Sequence, residues 1–103
     1  MNSKYKYILY SLILLLVILA CSPALYIPTL SDSQKTGVPS DTLALGRKLY
    51  VDKCSGCHNL YLPERFTEKQ WEDIMPLMQM KANCSDQDIM MITKYLKARY
   101  KKD

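Results

Sequence analysis

Hydrophobic and polar positions divide the chain into stretches of different character. Residues 8–20 form one nearly unbroken apolar run, interrupted only by Tyr10 and Ser11. A helix of that length spans about 20 Å, short of the roughly 30 Å of a hydrocarbon core. Residues 22–40 show no periodicity and hold Pro23, Pro28 and Pro39 among Ser, Thr and Asp. They are expected to be a flexible tether with no folded element. Helical periodicity begins after residue 40, where Leu43, Gly46, Leu49 and Tyr50 share one face and Ser40 or Asp41 can cap. Gly46 costs about 1 kcal/mol against alanine inside a helix, which implies close approach by another helix. Thr67-Glu68-Lys69-Gln70 is a capping box that opens a helix carrying Trp71, Ile74 and Met75. Pro76 removes a backbone donor, so that helix is expected to kink or end there, leaving Met78 and Met80 in irregular backbone. Ser85 caps a last helix with Ile89, Ile92 and Leu96 on one side, joined by Tyr95 and Tyr100. The expectation is an all-α domain of about three helices, with no strand signal and no repeat.

Composition changes this picture little. The chain is 49% hydrophobic over 103 residues, but much of that lies before residue 21. Beyond residue 20 the formal charge falls from +4 to about +2, because Lys4 and Lys6 are left behind. So mild a balance, with no basic run interleaved with aromatics, gives no support to a nucleic-acid partner. The basic end from Lys97 to Lys102 reads as a solvated helix terminus. A domain of about 60 residues is near the lower limit for a self-sufficient apolar core. A large apolar cofactor would supply what is missing.

Cys54-Ser55-Gly56-Cys57-His58 provides such a cofactor. C-x-x-C-H is the attachment sequence of a c-type haem: two thiols on one turn each add across a vinyl group, and the adjoining His58 falls beneath the iron. Gly56 lets backbone approach the macrocycle. The single histidine of the chain excludes bis-histidine ligation within one protomer. A methionine thioether is the remaining strong sixth ligand. Met1 leaves with the leader, and Met90 and Met91 fit apolar packing in the last helix, so the candidates are Met75, Met78 and Met80. The Pro63 carbonyl is a candidate acceptor for the second ring proton of His58, with a plain turn proline as the alternative. A haem-free reading would place zinc on Cys54, Cys57, His58 and Cys84, but adjacent Cys57 and His58 are poorly placed to share one ion. Thioredoxin-like chemistry wants a βαβ setting, for which there is no signal.

The amino-terminal stretch bears on location. A positive flank, a short apolar run and a small residue at its end are the marks of a secretory signal peptide over residues 1–20. Ile18-Leu19-Ala20-Cys21 resembles a bacterial lipobox, which implies acylation of Cys21, with residues 21–40 as lipidated terminus and tether and residues 41–103 as the domain. Ser22 then goes with sorting to the outer membrane. An uncleaved anchor running on through Ile27 is the alternative. Both place Lys4 and Lys6 in the cytoplasm and the domain on the far, periplasmic side.

From Ala44 to Leu96 the chain resembles a small mono-haem class I cytochrome c. The resemblance rests on Gly46-Arg47-Lys48-Leu49-Tyr50, on Cys54 to His58, on Pro63, on Trp71 with Met78 and Ala82, and on Ile92-Thr93-Lys94-Tyr95-Leu96. It implies a class I fold with helices packed around one covalently attached haem c. It also implies crossing first and last helices, with Gly46 against Tyr95 or Leu96, and it selects Met78 as distal ligand. The implied activity is electron transfer between redox partner proteins, in a membrane-tethered carrier with no catalytic residue and no small-molecule substrate. A haem-based sensor or small-gas-binding protein with a weak or open sixth position is the alternative. Cys84 is left over as a small buried hydrophobe or as a site of intermolecular disulfide formation.

Overall fold

A computed structural model describes residues 2–20, 24–55 and 60–102. The order of elements is α1 (Ser3–Ala20), α2 (Leu30–Thr36), α3 (Ser40–Cys54), a single 3₁₀ turn (Pro63–Arg65), α4 (Glu68–Ala82) and α5 (Asp86–Lys97). The fold is all-α, as the periodicity predicts. The only β pairing among the described residues is an isolated parallel bridge between Thr67 and Lys101. Five α-helices are present where about three were expected, because α1 and α2 precede the three helices of the domain.

α3 and α5 cross at Gly46. A Cβ built there would overlap the Met91 carbonyl oxygen and lie 2.9 Å from Tyr95 Cβ. The glycine therefore lets two backbones touch, and this is the close approach its helical position implied. Around the crossing, Leu43, Tyr50, Trp71, Ile92, Tyr95 and Leu96 have no exposed surface. Each such side chain contributes about 1.5–3 kcal/mol by leaving water. The expected caps Ser40 and Asp41 do not cap α3: Pro39 takes that position, with no side-chain bond to the helix.

Of the two outcomes expected at Pro76, a kink or an end, the helix does not end: α4 continues through it to Ala82. The proline costs about 3 kcal/mol in lost bonding and ring clash, and three features outweigh it. Thr67 and Gln70 form the capping box, Asn83 ends the helix in the left-handed conformation at φ 51°, and Trp71 and Met75 are buried. Met78 and Met80 are consequently helical.

The expected tether is also folded. Thr29 and Asp32 form a capping box that opens α2, and Gly37 closes it at φ 71°. The rings of Tyr26 and Tyr95 stack with centroids 4.4 Å apart. The two hydroxyls are exchanged, each donating to the other's backbone carbonyl. Arg99 donates to both carboxylate oxygens of Asp32, at 2.9 and 3.0 Å, and its guanidinium lies 4.4 Å over the Tyr26 ring. Arg47 Nε also donates to the Tyr26 carbonyl at 3.1 Å. Residues 24–36 thus form a strap across α3 and α5. With Tyr26 buried and residues 24–29 non-helical, no helix runs on from α1 through Ile27. No helix among the described residues is long and apolar enough to cross a membrane.

Two outcomes follow for denaturant titrations of the haem-loaded protein. Gly46→Ala forces the crossing apart and lowers the unfolding free energy by about 1–3 kcal/mol. Asp32 is held well below the usual carboxylate range, first by its hydrogen bonds from Arg99, against the opposing effect of burial. Its contribution is therefore complete above the unfolded value near pH 4 and is lost as pH falls below that toward the depressed folded value. Asp32→Asn removes that part of the acid dependence.

Candidate haem-attachment site

The attachment sequence begins where α3 ends. Cys54 is the last residue of the helix and is buried, and Ser55 follows as C-cap with its Oγ donating to the Val51 carbonyl at 2.6 Å. Gly56, Cys57 and His58 lie outside the described residues, as does Cys21. The chain is next described at Leu60, so the loop is defined by what holds its two ends.

Aromatic side chains hold both. The Tyr50 hydroxyl, one turn before Cys54, donates to the Tyr61 carbonyl at 2.7 Å and ties α3 to the strand of chain leaving the loop. Burial pushes the Tyr50 phenol above its usual range, so it stays a neutral donor at physiological pH. Trp71 Nε1 donates to the Pro63 carbonyl at 2.8 Å. Phe66 meets Trp71 and Tyr61 edge-on, with ring centroids 5.0 and 5.2 Å away. Lys101 N donates to the Phe66 carbonyl at 2.8 Å, which adds the carboxyl-terminal end to the same frame. Pro63 is therefore a buried structural acceptor for Trp71. A carbonyl oxygen has a second lone pair, which leaves the expected bond from His58 chemically open.

The three candidate methionines are separated by α4. Met75 is 5% exposed and belongs to the buried cluster that also contains Cys54, Tyr50 and Trp71. Met78, one turn on, is half-buried and packs against that cluster with Leu60 and Ala82. Met80 is 72% exposed on the other side of the helix. Cys54, Met75 and Met78 are thus brought together in one apolar environment, and Met80 is not. Cys84 is buried in the same cluster. Among the described residues no group of His, Cys, Asp or Glu is gathered to hold a metal ion.

A thiol at a helix end that shares an apolar cluster with thioether side chains fits a covalently held haem. The role of Tyr50 and Tyr61 in holding the loop is not evident in the sequence, where Tyr50 reads only as part of the apolar face of α3. Their signal is weak, since a hydroxyl-to-carbonyl bond across eleven positions has no pattern of its own.

The fold and this donor set define a c-type cytochrome. Residues 50–103 match the family described as dihaem cytochrome c, and the chain belongs to that family. It carries covalently bound haem c and serves haem-based electron transfer. The matched residues contain one C-x-x-C-H sequence, Cys54 to His58, and the chain's single histidine. No curated protein and no solved structure matches the chain.

Tyr50→Phe removes the bond that closes the loop and leaves the Tyr61 carbonyl without that donor. Stability of the haem-loaded protein, followed by Soret absorbance in a urea titration, is expected to fall by about 1 kcal/mol.

Proposed function

We propose that this chain is a membrane-tethered, periplasmic electron carrier with one haem, ligated by His58 and Met78. The observation that carries the reading is the continuity of α4. With it, Met78 packs half-buried against the cluster that contains Cys54, while Met75 is buried within that cluster and Met80 is exposed to solvent. Cys54 and Cys57 hold the haem through thioether bonds, and His58 is the proximal ligand. Met75 and Met80 are the alternatives to Met78. One haem per chain is supported by the single attachment sequence and single histidine, whatever number the family's description carries.

The haem supplies a reversible one-electron couple, and a thioether ligand favours a raised potential. The protein's part is to hold it in a dry, apolar setting with both axial positions filled. Such a centre has no open position for substrate, and the chain is read as a carrier and no enzyme. Redox partner proteins are its expected partners, through small and transient contacts. Acylation of Cys21 after removal of residues 1–20 supplies the tether, and Ser22 points to the outer membrane.

The test is the visible and near-infrared spectrum of the oxidised protein from a host with haem-attachment machinery. A Soret band is expected, with the weak red-edge band of sulfur ligation. That band is lost in Met78→Ala and kept in Met75→Ala and Met80→Ala. Ready binding of carbon monoxide to the reduced protein at neutral pH would instead favour the sensor reading.

A further inference from the structure

The strap changes how far the domain stands from whatever anchors it. It lies outside residues 50–103, the part matched to the family, while Tyr95 and Arg99, which hold it, lie within that part. A tether over residues 22–40 would let the domain stand tens of ångströms away. Instead the chain is locked at Tyr26 by the exchanged tyrosine bonds, by Arg47 and by the Arg99 ring contact. Tyr26 lies five residue steps on from Cys21, a reach of at most about 18 Å when fully extended. The surface next to Tyr26 must therefore stay near the membrane.

That surface has a definite charge. Lys35 on α2 and Lys102 beyond α5 line one depression beside the strap, together with Asp32, Arg99 and Glu64. Asp32 is neutralised by Arg99. Lys35 and Lys102 are exposed, and no ion pair among the described residues occupies them. Lys101 adds a third exposed cation on the same end, where its backbone is fixed to Phe66. Glu64 is the opposing charge in that depression, and Glu68 and Glu72, which line the neighbouring one with Lys102, are both paired with Lys97, so Lys35 and Lys102 are the cations this face offers.

We infer that the strap holds the cytochrome domain flush on the bilayer, with Lys35 and Lys102 against anionic lipid headgroups. This rests on the membrane-anchored reading above. The occupant is a lipid surface because the short reach brings one to this end of the domain, and because the exposed charges there suit it. A consequence is that the far end of the domain faces away from the bilayer. Lys97 bonds Glu68 at 2.8 Å, so the start of α4 lies beside the end of α5. The end of α4, with Lys81, therefore lies at the opposite end, about 18 Å along α5.

The lipidated, haem-loaded protein is reconstituted in phosphatidylcholine vesicles with and without phosphatidylglycerol. A nitroxide is placed through Lys101→Cys or Lys81→Cys in a Cys84→Ala background. Relaxation by a nickel chelate on lipid headgroups is then measured. The expected result is stronger relaxation at position 101 than at 81, greater with phosphatidylglycerol. Lys35→Gln with Lys102→Gln lowers the docked fraction in those vesicles by about fivefold per charge. Insertion of about twelve Gly-Ser residues between Pro23 and Ala24, which adds roughly 20 Å of r.m.s. reach, removes the positional difference while leaving the Soret band unchanged. Equal relaxation at 101 and 81 in the parent protein overturns the flush orientation while co-sedimentation with vesicles upholds the anchor. Equal relaxation in neutral and anionic vesicles overturns the headgroup contact. Failure to co-sediment overturns the anchored reading and this inference with it.

Discussion

The contact between α3 and α5 at Gly46 sets the frame for everything else. Backbone meets backbone there because position 46 lacks a Cβ, and Tyr95 packs where a larger residue would stand. That approach brings Tyr50 and Cys54 on α3 to one cluster with Ile92 and Leu96 on α5. Packed interiors are nearly as dense as organic crystals, so a methyl group at this point cannot be absorbed locally. The position of Cys54, and hence of the haem loop that begins there, follows from the same contact.

The loop is then held by polar bonds from buried aromatics. Tyr50 reaches Tyr61 on one side and Trp71 reaches Pro63 on the other. Each aromatic combines a large apolar body with one donor that must be satisfied when buried. These donors end on backbone carbonyls of the segment that leaves the loop, so satisfying them also fixes that segment. α4 contributes the face that carries Trp71, Met75, Met78 and Ala82. A break at Pro76 would have scattered that face, whereas a continuous helix gathers Met75 and Met78 into the cluster that contains Cys54 and sends Met80 outward.

The strap joins the amino-terminal part of the chain to the same core. Its attachment is mutual: Tyr95, pushed up to about 12 mainly by burial, and Tyr26 both remain neutral donors, each bonded to the other's carbonyl. Asp32 serves as acceptor for its own helix start and for Arg99. One carboxylate thereby couples local helix formation to docking. The packed core takes in the chain from Leu25 onward, well before the periodic pattern of α3.

Much of this was legible in the residues themselves. C-x-x-C-H names its chemistry because two thiols and an imidazole at fixed spacing suit few other cofactors. The glycine in α3 announced a close contact, and the caps at Thr67 and Ser85 marked helix starts because they act through bonds within a few residues. Thr29-x-x-Asp32 with Gly37 was a readable helix signal too, obscured by the prolines on either side. What the residues could not show were outcomes of competition at long range. Whether α4 survives Pro76 depends on burial of Trp71 and Met75 against elements distant in sequence. Whether residues 24–36 are tether or strap depends on Tyr26 meeting Tyr95, 69 positions away. Local chemistry determined the cofactor and the helices, and tertiary packing decided which methionines join the cluster that contains Cys54 and where the packed core begins, because only packing sets burial against the local cost.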